Sequence, residues 1–167
     1  MCKASGGPWK RLALWAAASL LVLVLATLVS AKDLDLGKAV KVGNGRITVI
    51  EFTDPDCPFC KKAEAYFQKR SDVTRYIFFI PLKIHPASKG KVQYILSAKD
   101  KEKAYLDVAT GKLDKWKQSE VTPEGIALQQ AHEQIAKEQG QNATPIFIIY
   151  GSVVRGFDLK KLEPLLK

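Results

Sequence analysis

Apolar positions along the chain fall into short β-branched runs separated by stretches with helical spacing. Ile47 to Thr53 (ITVIEFT) is strand-like, and Asp54-Pro55-Asp56 breaks it. Cys57 to about Arg70 carries Ala63, Tyr66 and Phe67 at helical spacing. Val73 to Ile80 is almost continuously apolar toward its end, as in a strand buried on both faces, and Pro81 ends it. Lys89–Ala98 and Lys101–Thr110 predict two short helices, and Gly111 to Val121 a loop. Thr122 with Pro123 opens a further helix, whose apolar face is Leu128, Ala131 and Ile135. Ile146–Tyr150 and Val153–Phe157 predict a hairpin over Gly151-Ser152, a turn of the type with Gly first. Asp158 caps a last helix that Pro164 disturbs. The order strand, helix, strand, helical insert (about 86–139), strand, strand, helix predicts an α/β domain over 47–167, with one mixed sheet and helices on its faces. Residues 32–46 read as a short polar linker with a turn at Gly43-Asn44-Gly45.

The first 31 residues have a different pattern. Lys3, Lys10 and Arg11 precede an apolar run from Leu12 to Val29, interrupted only by Ser19 and Thr27. Val29-Ser30-Ala31 then places small or branched residues before charged Lys32-Asp33. This predicts a secretory signal peptide, with an uncleaved membrane anchor as the competing reading. Both readings put the domain outside the cytoplasmic membrane. The chain of 167 residues carries a net charge of +9, spread through the body without a dense Lys/Arg block. No nucleic-acid motif accompanies that charge, so it reads as a solvated surface and not as a nucleic-acid interface.

Three cysteines are present, and Cys2 lies in the leader. The exported part is left with Cys57-Pro58-Phe59-Cys60. A C-x-x-C is half a zinc site or a redox pair. Zinc needs two more ligands, and His85 and His132 lack ligand spacing, so no metal is expected. As bracing, so small a loop does little in an oxidising compartment. The expected use is chemical: a redox-active Cys57–Cys60 disulfide, with no other cofactor. Strand, C-x-x-C, helix, then Thr144-Pro145 leading into a strand, together read as a thioredoxin-fold dithiol site.

Cys57 stands at a helix start, where unpaired N–H groups stabilise a thiolate, so it is the expected nucleophile. Cys60, one turn on, is the resolving thiol. Pro58 suits the first turn, and Phe59 adds an apolar side chain beside the sulfurs. Asp54 and Asp56 flank the helix start, Asp56 as its expected cap. Glu51 shares a strand face with Ile47 and Val49. A buried acid there would carry a proton to or from Cys60; the alternative is an ordinary strand-end Glu with a Lys partner. A cis Thr144-Pro145 would leave the Thr144 backbone free for an extended substrate, and a trans strand start is the alternative. His85 reads as a loop or capping residue, His132 as lying on a polar helix face, and Trp116 as local packing.

Phe52 to Cys60 (FTDPDCPFC), Arg75 to Pro81 (RYIFFIP), Ser97 to Ala104 (SAKDKEKA) and Asn142 to Pro145 (NATP) resemble the catalytic domain of DsbC/DsbG-type periplasmic thiol:disulfide interchange proteins. The resemblance runs from about Ile47 to Leu166. It implies a thioredoxin-like fold with a helical insert, located in the periplasm, with a cis Thr144-Pro145 facing the dithiol. Cys57 and Cys60 are then the redox pair, and Pro58, Phe59, Thr144 and Pro145 shape the substrate site. The implied partners are misoxidised secreted proteins, with a membrane thiol carrier of the DsbD type as electron donor.

Three departures bear on activity. Only Lys32 to Arg46 lies where full-length members carry a dimerisation domain, so a monomer is expected. Ser97 stands where some members have a cysteine of a structural disulfide. Glu51 matches an acidic position of thioredoxin and DsbA-like proteins, where DsbC-type members usually have an apolar residue. The expected activity is a disulfide reductase or isomerase. A DsbA-like oxidase and a non-catalytic client-binding or chaperone module are the rival readings.

Overall fold

The structure is a computed structural model that describes residues 34–112 and 118–167. The leader, Cys2 and Trp116 lie outside the described residues. Five strands form one mixed sheet: β1 (Val40–Val42), β2 (Ile47–Thr53), β3 (Val73–Phe79), β4 (Ile146–Ile149) and β5 (Ser152–Arg155), in the order β1-β3-β2-β4-β5. β2 and β3 run parallel, from Ile47 opposite Val73 to Thr53 opposite Phe79. β4 lies antiparallel on the other side of β2, and β5 continues it as a hairpin. The helices are α1 (Pro58–Phe67), α2 (Ser88–Ser97), α3 (Lys101–Ala109), α4 (Pro123–Glu138) and α5 (Leu159–Leu162). The fold is thioredoxin-like, with α2, α3 and α4 as a helical insert between β3 and β4.

The central strands are apolar because both of their faces are covered. Ile47 and Val49 pack with Ala63 and Phe67 of α1, Phe147 of β4 and Leu162 of α5. Ile77 and Phe79 of β3 pack with Val92, Ile95, Tyr105 and Val108 of the insert. Phe52 and Phe78 meet Ala136 of α4, with their rings stacked at 5.5 Å. Thr122 caps α4 by accepting from the Gly125 N–H at 3.1 Å, with Pro123 in the first turn, as expected from the sequence. Ser97 bonds α2 to that cap by accepting from the Thr122 N–H at 2.9 Å while donating to the Gln93 carbonyl. A Cβ on Gly125 would come within 2.0 Å of the Ser97 hydroxyl, so glycine lets the two helices approach there.

Four expectations are corrected. The segment read as linker holds β1, which pairs antiparallel with β3 from Val40 opposite Ile77 to Val42 opposite Arg75. Three residues are too few for a periodicity to show. The following turn seats Gly45 where a Cβ would lie 1.9 Å from the Asp72 backbone. The β4–β5 turn is Tyr150-Gly151, one residue earlier than predicted, with φ of 48° and 78°. Positive φ at both central residues matches the right-handed twist of a two-residue hairpin. The buried stripe of α4 is Gly125, Gln129, His132 and Ala136, while Leu128 and Ile135 are only partly covered. His132 is therefore not on a polar face. It is fully buried, its Nδ1 accepts from the Phe79 N–H at 3.1 Å, and its Nε2 donates to the Lys38 carbonyl at 2.7 Å.

Candidate active site

The site begins where β2 ends. The Asp54 backbone carbonyl accepts from the Cys57 N–H at 3.1 Å and turns the chain into α1. Cys57 is itself the N-cap, in extended conformation, with Pro58 in the first turn. Cys57 therefore stands immediately ahead of the first N–H groups of the helix. No side chain caps the helix. Asp56, the expected cap, pairs with Lys91 instead.

The Asp54 carboxylate is fully buried and holds the neighbouring loop in place. It accepts from Ser88 Oγ at 2.7 Å, from the Asp56 and Leu82 N–H groups at 2.8 Å each, and meets His85 Nδ1 at 2.9 Å. This one side chain ties the 81–88 connection to the approach to Cys57. His85 is thus a loop-anchoring residue.

Both cysteines are buried, Cys57 5 % and Cys60 3 % exposed. Cys57 Sγ lies 3.7 Å from the Thr144 carbonyl oxygen, and the Thr144–Pro145 bond is cis. The two segments, 87 positions apart, meet at one sulfur. Burial pushes the Cys60 thiol well up, and the Thr53 hydroxyl and Asp54 backbone beside it offset only part of that effect. Pro58 and Phe59 stand on the outside of the first turn, Phe59 56 % exposed with Lys62 Nζ 5.5 Å from its ring centre.

Glu51 is fully buried on β2. Its partner is Arg75 of β3, whose Nη1 lies 3.0 Å from Glu51 Oε2 and 2.7 Å from Glu64 Oε2. Arg75 Nη2 completes a two-pronged contact with Glu64 at 3.0 Å, and Tyr105 donates to Glu64 at 2.7 Å. Burial raises the Glu51 pKa; Arg75 opposes the shift without cancelling it. Thr53, two residues along the same strand face, lowers the pKa of both Glu51 and Cys60. Arg75, Glu64 and Tyr105 went unrecognised in the sequence. The available signal was an arginine inside a strand read as buried on both faces, which requires a buried carboxylate. Among the described residues, no three His, Cys, Asp or Glu side chains gather as a metal site.

Residues 34–157 match the family described as a thioredoxin-like domain. A Bordetella avium protein described as a probable thiol:disulfide interchange protein DsbC is 35 % identical over 74 residues, 43 % of this chain and 26 % of that protein. The chain thus spans about a quarter of the length of the curated relatives it matches. The structure of a disulfide interchange protein from Neisseria gonorrhoeae is similar at 31 % identity and TM-score 0.66, covering 79 % of this chain and 95 % of that one. Pseudomonas aeruginosa DsbA2 shares the fold at 20 % identity and TM-score 0.61, over 77 % of this chain and 92 % of its own. The chain belongs to the thioredoxin-like family, among its thiol:disulfide interchange proteins.

Proposed function

We propose that this is an exported, periplasmic thiol–disulfide oxidoreductase of DsbC/DsbG type that reduces or reshuffles disulfides of secreted proteins through Cys57 and Cys60. One observation carries the reading. The Cys57 sulfur sits at the N-terminus of α1 and 3.7 Å from the Thr144 carbonyl beside a cis proline, with a buried second thiol one turn behind.

In the reduced protein, the Cys57 thiolate attacks one sulfur of a client disulfide. A Cys57–client disulfide forms, and the client's other sulfur leaves as a thiolate that takes up a proton. Cys60 then loses its proton and attacks the Cys57 sulfur. The Cys57–Cys60 disulfide forms and the client departs as a dithiol, two electrons richer. In reshuffling, another client thiolate expels Cys57 and the pair stays reduced. Burial keeps Cys60 protonated until it is needed, so resolution requires a proton acceptor. Glu51 in its ionised form, on the same strand face as Thr53, is that acceptor. Two electrons from a membrane dithiol carrier of the DsbD type return the pair to the reduced form.

Replacing Cys60 by Ser should trap mixed disulfides with secreted proteins, visible on non-reducing gels, while Cys57→Ser should trap none. Equal trapping by both would contradict the assigned roles. Acid quenching of cells followed by thiol alkylation reports the direction of exchange. A reduced Cys57–Cys60 pair at steady state supports the reductase or isomerase role, and a fully oxidised pair points to an oxidase.

A further inference from the structure

The exposed charge on α1 and on the segments that flank the dithiol, 73–99 and 139–157, is one-sided. α1 exposes Lys61 and Lys62 directly after Cys60, and its one carboxylate, Glu64, is buried against Arg75. From Val73 to Lys99 the chain contains no Asp or Glu, and Lys83 and Lys89 in that stretch are exposed. Lys83 lies between Leu82 and His85, both bonded to the Asp54 carboxylate three residues before Cys57. From Gln139 to Phe157, the segment with the cis bond, there is again no Asp or Glu. The two acids next to Cys57 in sequence are neutralised or enclosed: Asp56 pairs with Lys91, and Asp54 is buried under its four donors. Two large apolar side chains stand among these lysines, Phe59 at 56 % and Ile84 at 78 % exposure.

A disulfide is uncharged, so long-range attraction to this rim must come from the residues flanking it. We infer that the Lys61, Lys62 and Lys83 rim selects client segments whose cystine is flanked by acidic residues, with Phe59 and Ile84 contacting apolar side chains of the same segment. The inference rests on the exchange chemistry proposed above and adds the class of client. A peptide is favoured because the lysines and the two apolar residues lie on the segments that carry the dithiol or are tied to its approach, and the dithiol reacts with a partner carrying its own sulfur.

The test uses three cystine peptides with one common core and Glu, Gln or Lys flanks. The rate constant of their reaction with the reduced full-length protein is measured at 0.01 M and 1 M salt. We expect the acidic peptide to react about tenfold or more faster than the basic one at low salt. The gap should close at 1 M, where the Debye length falls from about 30 Å to about 3 Å. A variant with Lys61, Lys62 and Lys83 all changed to Glu should reverse the order, and one with all three changed to Gln should level it. Equal wild-type rates for the three peptides at low salt would overturn the proposal while leaving the exchange chemistry standing. Failure to react with any peptide would instead sink the exchange chemistry. Retention on phosphatidylglycerol vesicles that the Glu variant abolishes, without a flank preference, would assign the rim to a membrane surface and overturn it too.

Discussion

Arg75 binds Glu51 through a single 3.0 Å contact to Oε2, and the other oxygen of that buried carboxyl, Oε1, has no hydrogen-bond partner. The same guanidinium is already held on two prongs by Glu64. One cation thus serves two buried carboxylates, and the more weakly held one is the natural place for a proton.

The first prediction follows from that proton. The folded-state pKa of Glu51 is raised above its ordinary value of 4.5 by burial. The stability linked to it is therefore full below about pH 4.5 and is lost as pH rises through the raised pKa. Glu51→Gln, which keeps the protonated shape, should remove that loss. Urea unfolding across pH 4 to 9 should show the variant gaining on the wild type as pH rises. In quenched-flow assays, release of the mixed disulfide should slow by about 10² while the first attack by Cys57 changes little. An unaltered release rate would leave Glu51 a structural residue only.

The second concerns Thr53, which is buried and acts on both Glu51 and Cys60. Thr53→Val keeps the shape and removes the hydroxyl. It should slow release about as much as Glu51→Gln, and the double variant should be no slower than either single one, because members of one relay are not additive. Independent, multiplying losses would show that protons reach Cys60 by another route.

Much of this is legible in the sequence. Cys57, Cys60 and Thr144-Pro145 are set by chain order, since a strand feeding a helix and a proline opening a strand leave few ways to bring the three together. The burial of Glu51 was legible from strand alternation alone. Arg75 was not, because its two acids lie on other elements, and Tyr105 is 41 positions from the Glu64 it binds. His132 was misplaced because hydropathy assigns an imidazole to water, whereas here two backbone groups satisfy both ring nitrogens inside the core. The Asp54 hub was missed for a related reason. A carboxylate beside a helix start looks like a cap until the loop it holds, 28 to 34 positions away, is folded against it.

That hub supplies the third prediction. Asp54→Ala strands the Ser88 hydroxyl and the Leu82 and Asp56 N–H groups. The cost should be about 3 kcal/mol, read from the urea midpoint, as for buried hydrogen bonds to a charged group. Amide exchange should accelerate through 81–88 before the central strands are affected. A loss confined to the helix start would show that the loop is held by other contacts.

The last prediction concerns acid stability. Burial pushes the His132 pKa down to about 4 from an ordinary 6.5. A depressed folded-state pKa means that stability is present above pH 6.5 and lost as pH falls toward about 4, because the unfolded chain binds the proton first. The loss should approach about 3 kcal/mol, given about 1.4 kcal/mol per pKa unit. His132→Gln can still accept from the Phe79 N–H and donate to the Lys38 carbonyl, the two bonds His132 makes. Its unfolding free energy should therefore be close to wild type at pH 7 and fall less between pH 6.5 and 4. Glu51 runs the opposite way above about pH 4.5, so the comparison is sharpest in a Glu51→Gln background, where that opposing titration is removed. If the acid-side loss in that background is undiminished by His132→Gln, the buried imidazole is not what makes the fold acid-sensitive.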